Sequence, residues 1–258
     1  MQAHPRHDAR WRRSTRQQLC DPDSIRLLGL AGVKRGWRCW EVGAGLGSIA
    51  AWLRARVEET GSVWATELNP DLIRELEGLR PAGVETSLHN LERDPFPDAD
   101  FDLVHTRFVL EHLRSREEVL HRLASSVKPR GRLVVEDAQF DAASLLGPTE
   151  FSEAMALVRG HAESQGTDFS WASTLPCRLH ELGYTVSHSE VVARTFQGAS
   201  TEAQSWQCAI TNTFDETADG EKRKILSSGM EALQEPSMWF CGPAIVAVIG
   251  LRTQCPQI

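Results

Sequence analysis

The chain has 258 residues, of which 41% are hydrophobic and 24% charged, and its formal net charge is −7. This is ordinary globular composition, and the length suits one large α/β domain. The acidic balance argues against a nucleic-acid partner, which needs a basic face, and no apolar run reaches the roughly 18 residues of a membrane span.

Near the start, Arg6, Arg10, Arg12, Arg13 and Arg16 surround Trp11. They read as a solvated helix face or arm rather than a polyanion site. This basic stretch lacks the apolar segment of a signal peptide. The six cysteines, Cys20, Cys39, Cys177, Cys208, Cys241 and Cys255, are scattered and form no CxxC pair. They predict reduced thiols in a cytoplasmic protein, with neither a disulfide framework nor a metal-ligand spacing. The segment before about Leu30 is expected to pack over a sheet's carboxyl edge or to remain mobile.

From residue 38 onward, short apolar runs alternate with helical patterns, as in a doubly wound sheet. Arg38–Val42 reads as a buried strand ending in glycines. Ser48–Val57 follows with Ile49, Leu53 and Val57 at helical spacing. Ser62–Thr66 is a second strand. Asn69-Pro70-Asp71 then supplies an N-cap, a proline at the first helical position and an acid in the first turn. Leu72, Ile73, Leu76 and Leu79 form that helix's apolar face. Val84–Leu88, Asp102–His105 and Leu133–Glu136 read as three more strands, the last preceded by the turn Lys128-Pro129-Arg130-Gly131. After Asp137 the alternation breaks. Residues 138–174 look helical and mixed, Pro176–Leu182 reads as a helix stopped by Gly183, and Tyr184–Val192 and Ala244–Leu251 as the final strands. Two helical patterns, near Thr201–Asn212 and Thr217–Leu233, lie between those strands.

The densest motif is Glu41-Val42-Gly43-Ala44-Gly45-Leu46-Gly47-Ser48, set between a strand and a helix. An open α/β sheet binds nucleotides at such a turn. Glycine lets the backbone turn sharply and lets a ligand approach without meeting a Cβ. The spacing is G-x-G-x-G, not the G-x-G-x-x-G of hydride-transfer folds. Glu41, two residues before the first glycine, disfavours a pyrophosphate and suits an ammonium group. Glu67 ends the next strand about 20 residues after the loop, where this architecture grips a ribose diol. The plainer alternative is that Glu67 only caps the helix after it.

This loop, Glu67, His89-Asn90-Leu91, the strand Phe101-Asp102-Leu103-Val104 and the turn at Lys128 resemble, in order, the motifs of class I S-adenosylmethionine-dependent methyltransferases. The resemblance covers about Gly36 to Asp137. It implies a Rossmann-like, doubly wound and mostly parallel sheet of about seven strands, closed by an antiparallel hairpin. It also implies S-adenosylmethionine as the cofactor. Gly43, Ala44, Gly45 and Gly47 would line its methionine and ribose portion, and Glu41 would sit near its ammonium. Glu67 would hold the ribose, and Leu68 would pack on the adenine. Asn90 stands where the family usually has an aspartate for the adenine amino group, and an amide carbonyl accepts that bond as well. The Leu91 backbone would address the ring nitrogens, and Thr106 and Arg107 would flank the sulfonium. Arg130 replaces a usual glycine, which concerns loop shape only.

The proton acceptor is harder to place. His112, in the segment Val109-Leu110-Glu111-His112-Leu113 that begins a helix, is one candidate, with Glu111 to orient it; packing a helix end is the plainer alternative. Asp137 either binds substrate or caps a helix, and His161 rests on its position in the inserted segment alone. His105, inside a buried strand, reads as a satisfied core residue. The aromatic residues Trp11, Phe140, Phe151, Phe169, Trp171, Trp206 and Trp239 form either an apolar pocket or ordinary packing.

The chain therefore reads as a single domain, 1–258. Residues 1–30 are a cap segment, 36–137 the cofactor core, 138–175 a substrate cap above it, and 176–258 the rest of the sheet. The expected partner is a small-molecule substrate, methylated by direct displacement as in bacterial secondary metabolism. Neither nucleic acid nor membrane is expected, and a homo-oligomer is left open. Two rivals are a repurposed enzyme of the same fold that cyclises or rearranges its substrate, and a non-catalytic regulatory protein that binds the cofactor.

Overall fold

The computed structural model describes residues 9–79, 83–97, 100–216 and 219–253. Arg6, Cys255 and Thr217 lie outside them, as do the side chains of Arg10, Arg12 and Leu79. The chain folds into two compact units. One, the sheet unit, takes Asp21–Gln139, Asp168–Val192 and the described residues from Ile245. The other, the helical unit, takes the described residues before Asp21, Phe140–Thr167 and Ala193–Ala244.

The sheet unit contains strands β1 (Arg38–Val42), β2 (Ser62–Glu67), β3 (Val84–Leu88), β4 (Phe101–Arg107), β5 (Val127–Gln139), β6 (Tyr184–Val192) and β9 (Ala244–Arg252). They form one seven-stranded sheet in the order β3-β2-β1-β4-β5-β9-β6. The pairs β1–β2, β2–β3, β1–β4 and β4–β5 are parallel, and β6 runs antiparallel to β9. This is the mostly parallel, doubly wound sheet that the sequence predicts.

Alternation along each strand sends neighbours to opposite faces, and both faces are covered. Cys39, Ala65, Leu103 and Val134 pack on one face against Leu27 and Leu28 of α1 (Ala9–Leu30), Ile49 and Leu53 of α2 (Ser48–Val57) and Leu76 of α3 (Pro70–Leu79). Trp40, Val104, Leu133 and Val135 face Leu120 and Leu123 of α4 (Arg116–Ser126) and Leu175 and Leu179 of α6 (Leu175–Glu181). The expected start of α3 is present: Asn69 Oδ1 accepts the Asp71 N–H at 2.9 Å, and Pro70 opens the helix.

Two local expectations change. Lys128-Pro129-Arg130-Gly131 does not precede the fifth strand but bulges inside it. Phe101 pairs with Val127 on one side of the bulge and Leu103 with Arg132 on the other. Arg130 takes a left-handed φ of 66°, the conformation that a glycine adopts without strain. Leu110–His112 makes only a short 3₁₀ turn instead of opening a helix. The amides of Arg114 and Ser115 both donate to Glu92 Oε1, at 3.0 and 2.9 Å, and α4 starts at Arg116.

The helical unit holds α5 (Thr149–Ser164), α7 (Thr201–Glu216) and α8 (Gly220–Ala232) around Phe151, Met155, Ile210 and Leu226. It also holds a small antiparallel sheet that the sequence does not announce, β7 (Thr195–Gln197) with β8 (Trp239–Cys241). Phe240 of β8 stacks on Phe196 of β7 at 5.4 Å and meets Phe151 edge-on at 4.9 Å. The unit takes in most of the expected cap, 138–175, and adds Ala193–Ala244. Trp171, within that expected cap, packs instead in the core of the sheet unit.

Candidate active site

Parallel pairing brings the carboxyl ends of β1, β2, β4 and β5 to one edge of the sheet. Val42 pairs with both Thr66 and Thr106, and Arg107 with Glu136. The glycine loop leaves β1 at this edge. Ala44 donates its N–H to the Thr66 carbonyl at 2.9 Å, which fastens the loop to β2.

Gly43, Gly45 and Gly47 all have positive φ, at 70°, 57° and 83°. Their surroundings differ. A Cβ at Gly43 would meet Val109 Cγ2 at 2.4 Å, and one at Gly47 would meet Leu76 Cδ2 at 2.2 Å. A Cβ at Gly45 would meet no protein atom within 4 Å. Gly43 and Gly47 thus admit neighbouring side chains of the protein itself, while Gly45 turns an open face outward.

Glu67 holds this edge together. Its Oε2 accepts the Gly45 N–H at 3.0 Å, and its Oε1 accepts those of Leu68 and Asn69 at 2.8 and 3.1 Å. Loop and turn are therefore braced by one half-buried carboxylate. Leu68 beside it is 60% exposed, an apolar surface with nothing packed over most of it. Beyond β3, Asn90 forms an Asx turn: its Oδ1 accepts the Glu92 N–H at 2.9 Å, and its own N–H donates to Asp94. The Leu91 side chain is core, and its carbonyl accepts from Arg122 at 2.9 Å.

Beneath the loop runs a buried chain of charges. His105 of β4 places Nδ1 2.6 Å from Glu41 Oε2 and Nε2 2.9 Å from Glu136 Oε1. Ser24 of α1 donates to Glu136 Oε2 at 3.0 Å and accepts from Arg107 at 2.7 Å. Arg107 reaches Asp21 at 2.8 Å. His105 is satisfied, as a core histidine should be, but by two carboxylates from the strands on either side. Thr106, next along β4, is buried, and its hydroxyl has no hydrogen-bond partner.

A second buried group joins the last residues of β5 to the segment after β4. Asp137 is fully buried, accepts the Val109 N–H at 3.2 Å through Oδ1, and leaves Oδ2 without a partner. Burial, reinforced by the nearby Glu111, raises its pKa well above the usual carboxylate range. Glu111 accepts the Ala138 N–H and lies 3.3 Å from Nε2 of His112, whose side chain is 48% exposed. Of the three candidate proton acceptors, His112 and Asp137 are thus gathered around Glu111. His161 sits on α5 of the helical unit. Glu136 and Ser24 went unnoticed in the sequence. The available signal was parity: His105 and Glu136 fall on the same face as the apolar residues two positions before them, Leu103 and Val134.

Residues 40–135 match the family described as a methyltransferase domain. The ubiquinone/menaquinone biosynthesis C-methyltransferase UbiE of Laribacter hongkongensis is 32% identical over 111 residues, 42% of this chain and 46% of that one. The chain thus spans about half the length of the curated relatives it matches. A solved candidate methyltransferase of Bacillus halodurans C-125 superposes with a TM-score of 0.62 at 19% identity, over 90% of this chain and 100% of the other. The [4+2]-cyclase SpnF gives 0.56 at 16%, over 92% and 83%. At such identities the superpositions establish the fold. Residues 40–135 match a methyltransferase domain, and the sheet that contains them has the fold of these solved structures.

Proposed function

We infer that the protein transfers the methyl group of S-adenosylmethionine to a small organic molecule. The observation that carries this is the pairing of Gly45 with Glu67: an open backbone face joined to an acid, at the carboxyl edge of a parallel sheet. The groups at this edge fit the cofactor chemically. Glu67 retains acceptor capacity for a ribose, exposed Leu68 suits an adenine face, and Glu41 suits an ammonium.

When bound, S-adenosylmethionine supplies an electrophilic methyl on a sulfonium that is its own leaving group. The protein's task is then alignment, exclusion of water and, for an acidic nucleophile, removal of a proton. His112 is the acceptor we assign. Glu111, anchored by the Ala138 N–H, lies 3.3 Å from Nε2 of His112 and would orient the ring toward the substrate's proton. Burial and the nearby Glu111 both raise the Asp137 pKa, which favours its neutral form beside that carboxylate. His161 is the alternative acceptor, and the helical unit is where we place substrate selection. The curated relatives are named as C-methyltransferases, which favours carbon as an acceptor atom, to be tried beside oxygen and nitrogen. A cytoplasmic role in bacterial secondary metabolism belongs to the same proposal. No helix among the described residues is long and apolar enough to cross a membrane.

The test is incubation with S-adenosylmethionine and a panel of small aromatic and aliphatic acceptors, scored by S-adenosylhomocysteine release and product mass. Methyl transfer releases S-adenosylhomocysteine and adds one methylene to the product mass. A changed product of unchanged mass would mean that the fold has been turned to a rearrangement or cyclisation. Tight binding without any turnover would favour a regulatory role.

A further inference from the structure

His105 takes no part in the chemistry above, yet its placement is unusual. It is fully buried and both ring nitrogens end on carboxylates, Glu41 at 2.6 Å and Glu136 at 2.9 Å. A neutral imidazole has one N–H and satisfies one of these contacts. With both glutamates ionised, the other would set lone pair against lone pair in a dry site. Only the imidazolium donates to both. Burial opposes its charge most strongly, but Glu41 and Glu136 together raise its pKa to about 9.

The groups around it come from four elements. β1 supplies Glu41 and, two residues earlier, the buried thiol of Cys39. β5 supplies Glu136, and β4 itself supplies Arg107. α1 supplies Asp21, Ser24 and Arg26, the last paired with Glu190 of β6. Along the connected chain from Glu41 to Asp21, three carboxylates meet two cations, His105 and Arg107. Glu41 is the member on β1, nearest in sequence to the glycine loop.

We propose that His105 is a positioning residue for the amino-acid end of the cofactor: it pins the Glu41 carboxylate to Glu136, and through Ser24 to α1, so that an ammonium meets a fixed acid. This rests on the reading of Glu41 given above. Without the pin, Glu41 is a single side chain free to choose another rotamer, and its alignment must be restored at each binding event.

The experiment compares two ligands by calorimetric titration: S-adenosylhomocysteine, which has the amino-acid end, and 5′-methylthioadenosine, which lacks it. In His105→Gln the affinity for S-adenosylhomocysteine should fall roughly tenfold or more, the scale of one charge-assisted hydrogen bond. The affinity for 5′-methylthioadenosine should stay within about twofold. Parallel loss of both would mean that His105 only supports the fold and would overturn the proposal. Should His105→Gln not fold, Glu136→Gln removes the second anchor and carries the same comparison. Nitrogen-15 spectra of the unliganded wild type give an independent readout. Both ring nitrogens of His105 should be protonated at pH 7.5, and a neutral ring there sinks the idea. If the wild type binds neither ligand, the cofactor assignment itself fails and the proposal goes with it.

Discussion

The N–H of Gly45 points at Oε2 of Glu67, 3.0 Å away, so the glycine loop after β1 and the acid after β2 form one assembly. The other oxygen faces the amides of Leu68 and Asn69. Glu67 thus braces the turn, and its oxygens retain acceptor capacity for the ribose that we propose it binds.

Glu67→Gln should expose this double duty. Amide donors approach from both sides, so a glutamine must set its own NH₂ against one of them. Affinity for S-adenosylmethionine should fall by one to two decades, matching roughly 1.5–3 kcal/mol for a hydrogen bond to a charged group. The melting temperature should fall as well. Calorimetry and thermal melts on the same sample check this; unchanged affinity with a lower melting temperature would leave only the brace.

The three loop glycines should separate under substitution. Gly47→Ala would drive a methyl into Leu76, a contact of 2.2 Å, and should lower stability before it touches binding. At Gly45 a Cβ meets no protein atom within 4 Å, so the cost of Gly45→Val to the fold starts from the left-handed φ of 57°, about 1–2 kcal/mol. Its branched side chain fills the open face, and cofactor affinity should drop more than tenfold. Thermal melts beside titrations order the two variants.

Loss of His112 should slow turnover without loosening the cofactor. A true general base contributes on the order of 10²–10⁴, so His112→Ala should lose that much in kcat with Kd for S-adenosylmethionine nearly unchanged. His161→Ala should show which histidine carries the step. Full activity in both would mean that alignment alone suffices or that the acceptor lies elsewhere.

Stability should decline with rising pH for two reasons of the same sign. His105 is raised from 6.5 to about 9, so its contribution is complete below about 6.5, falls between the two values and is gone above about 9. The full span is on the order of 3 kcal/mol. Asp137 is also raised, so its penalty begins near pH 3.8 and grows until the folded-state pKa is passed. Asp137→Asn should flatten the acidic part of the curve and His105→Gln the alkaline part. Chemical denaturation from pH 4 to 10 separates them, and curves parallel to the wild type would contradict both assignments.

What was legible in the sequence is what is local. The strand ends, the loop and Glu67 are written in contiguous residues, and the proline and asparagine at α3 act on their own neighbours. The charge chain was not legible, because Glu41, His105 and Glu136 meet only once β4 lies between β1 and β5. The joining of Ala193–Ala244 to the expected helical segment escaped for the same reason: Phe151, Phe196 and Phe240 form one aromatic cluster from three distant segments. The residues at Lys128 look like a turn because a proline and a glycine punctuate them. Pairing with β4 on both sides turns them into a bulge.

The order β5-β9-β6 has a consequence for how the molecule is made. Successive elements usually become sheet neighbours, but β5 and β6 emerge from the ribosome with the place between them empty. β9 fills it only after all of Ala193–Ala244 has been synthesised. Until then β5 and β6 each keep an edge with unpaired backbone groups, which invites pairing with other chains. Closing so long a loop is also slow compared with forming helices. The final strand therefore works as a clasp. A nascent chain stalled before Ala244 can hold a folded glycine loop and still be a hazard to its neighbours.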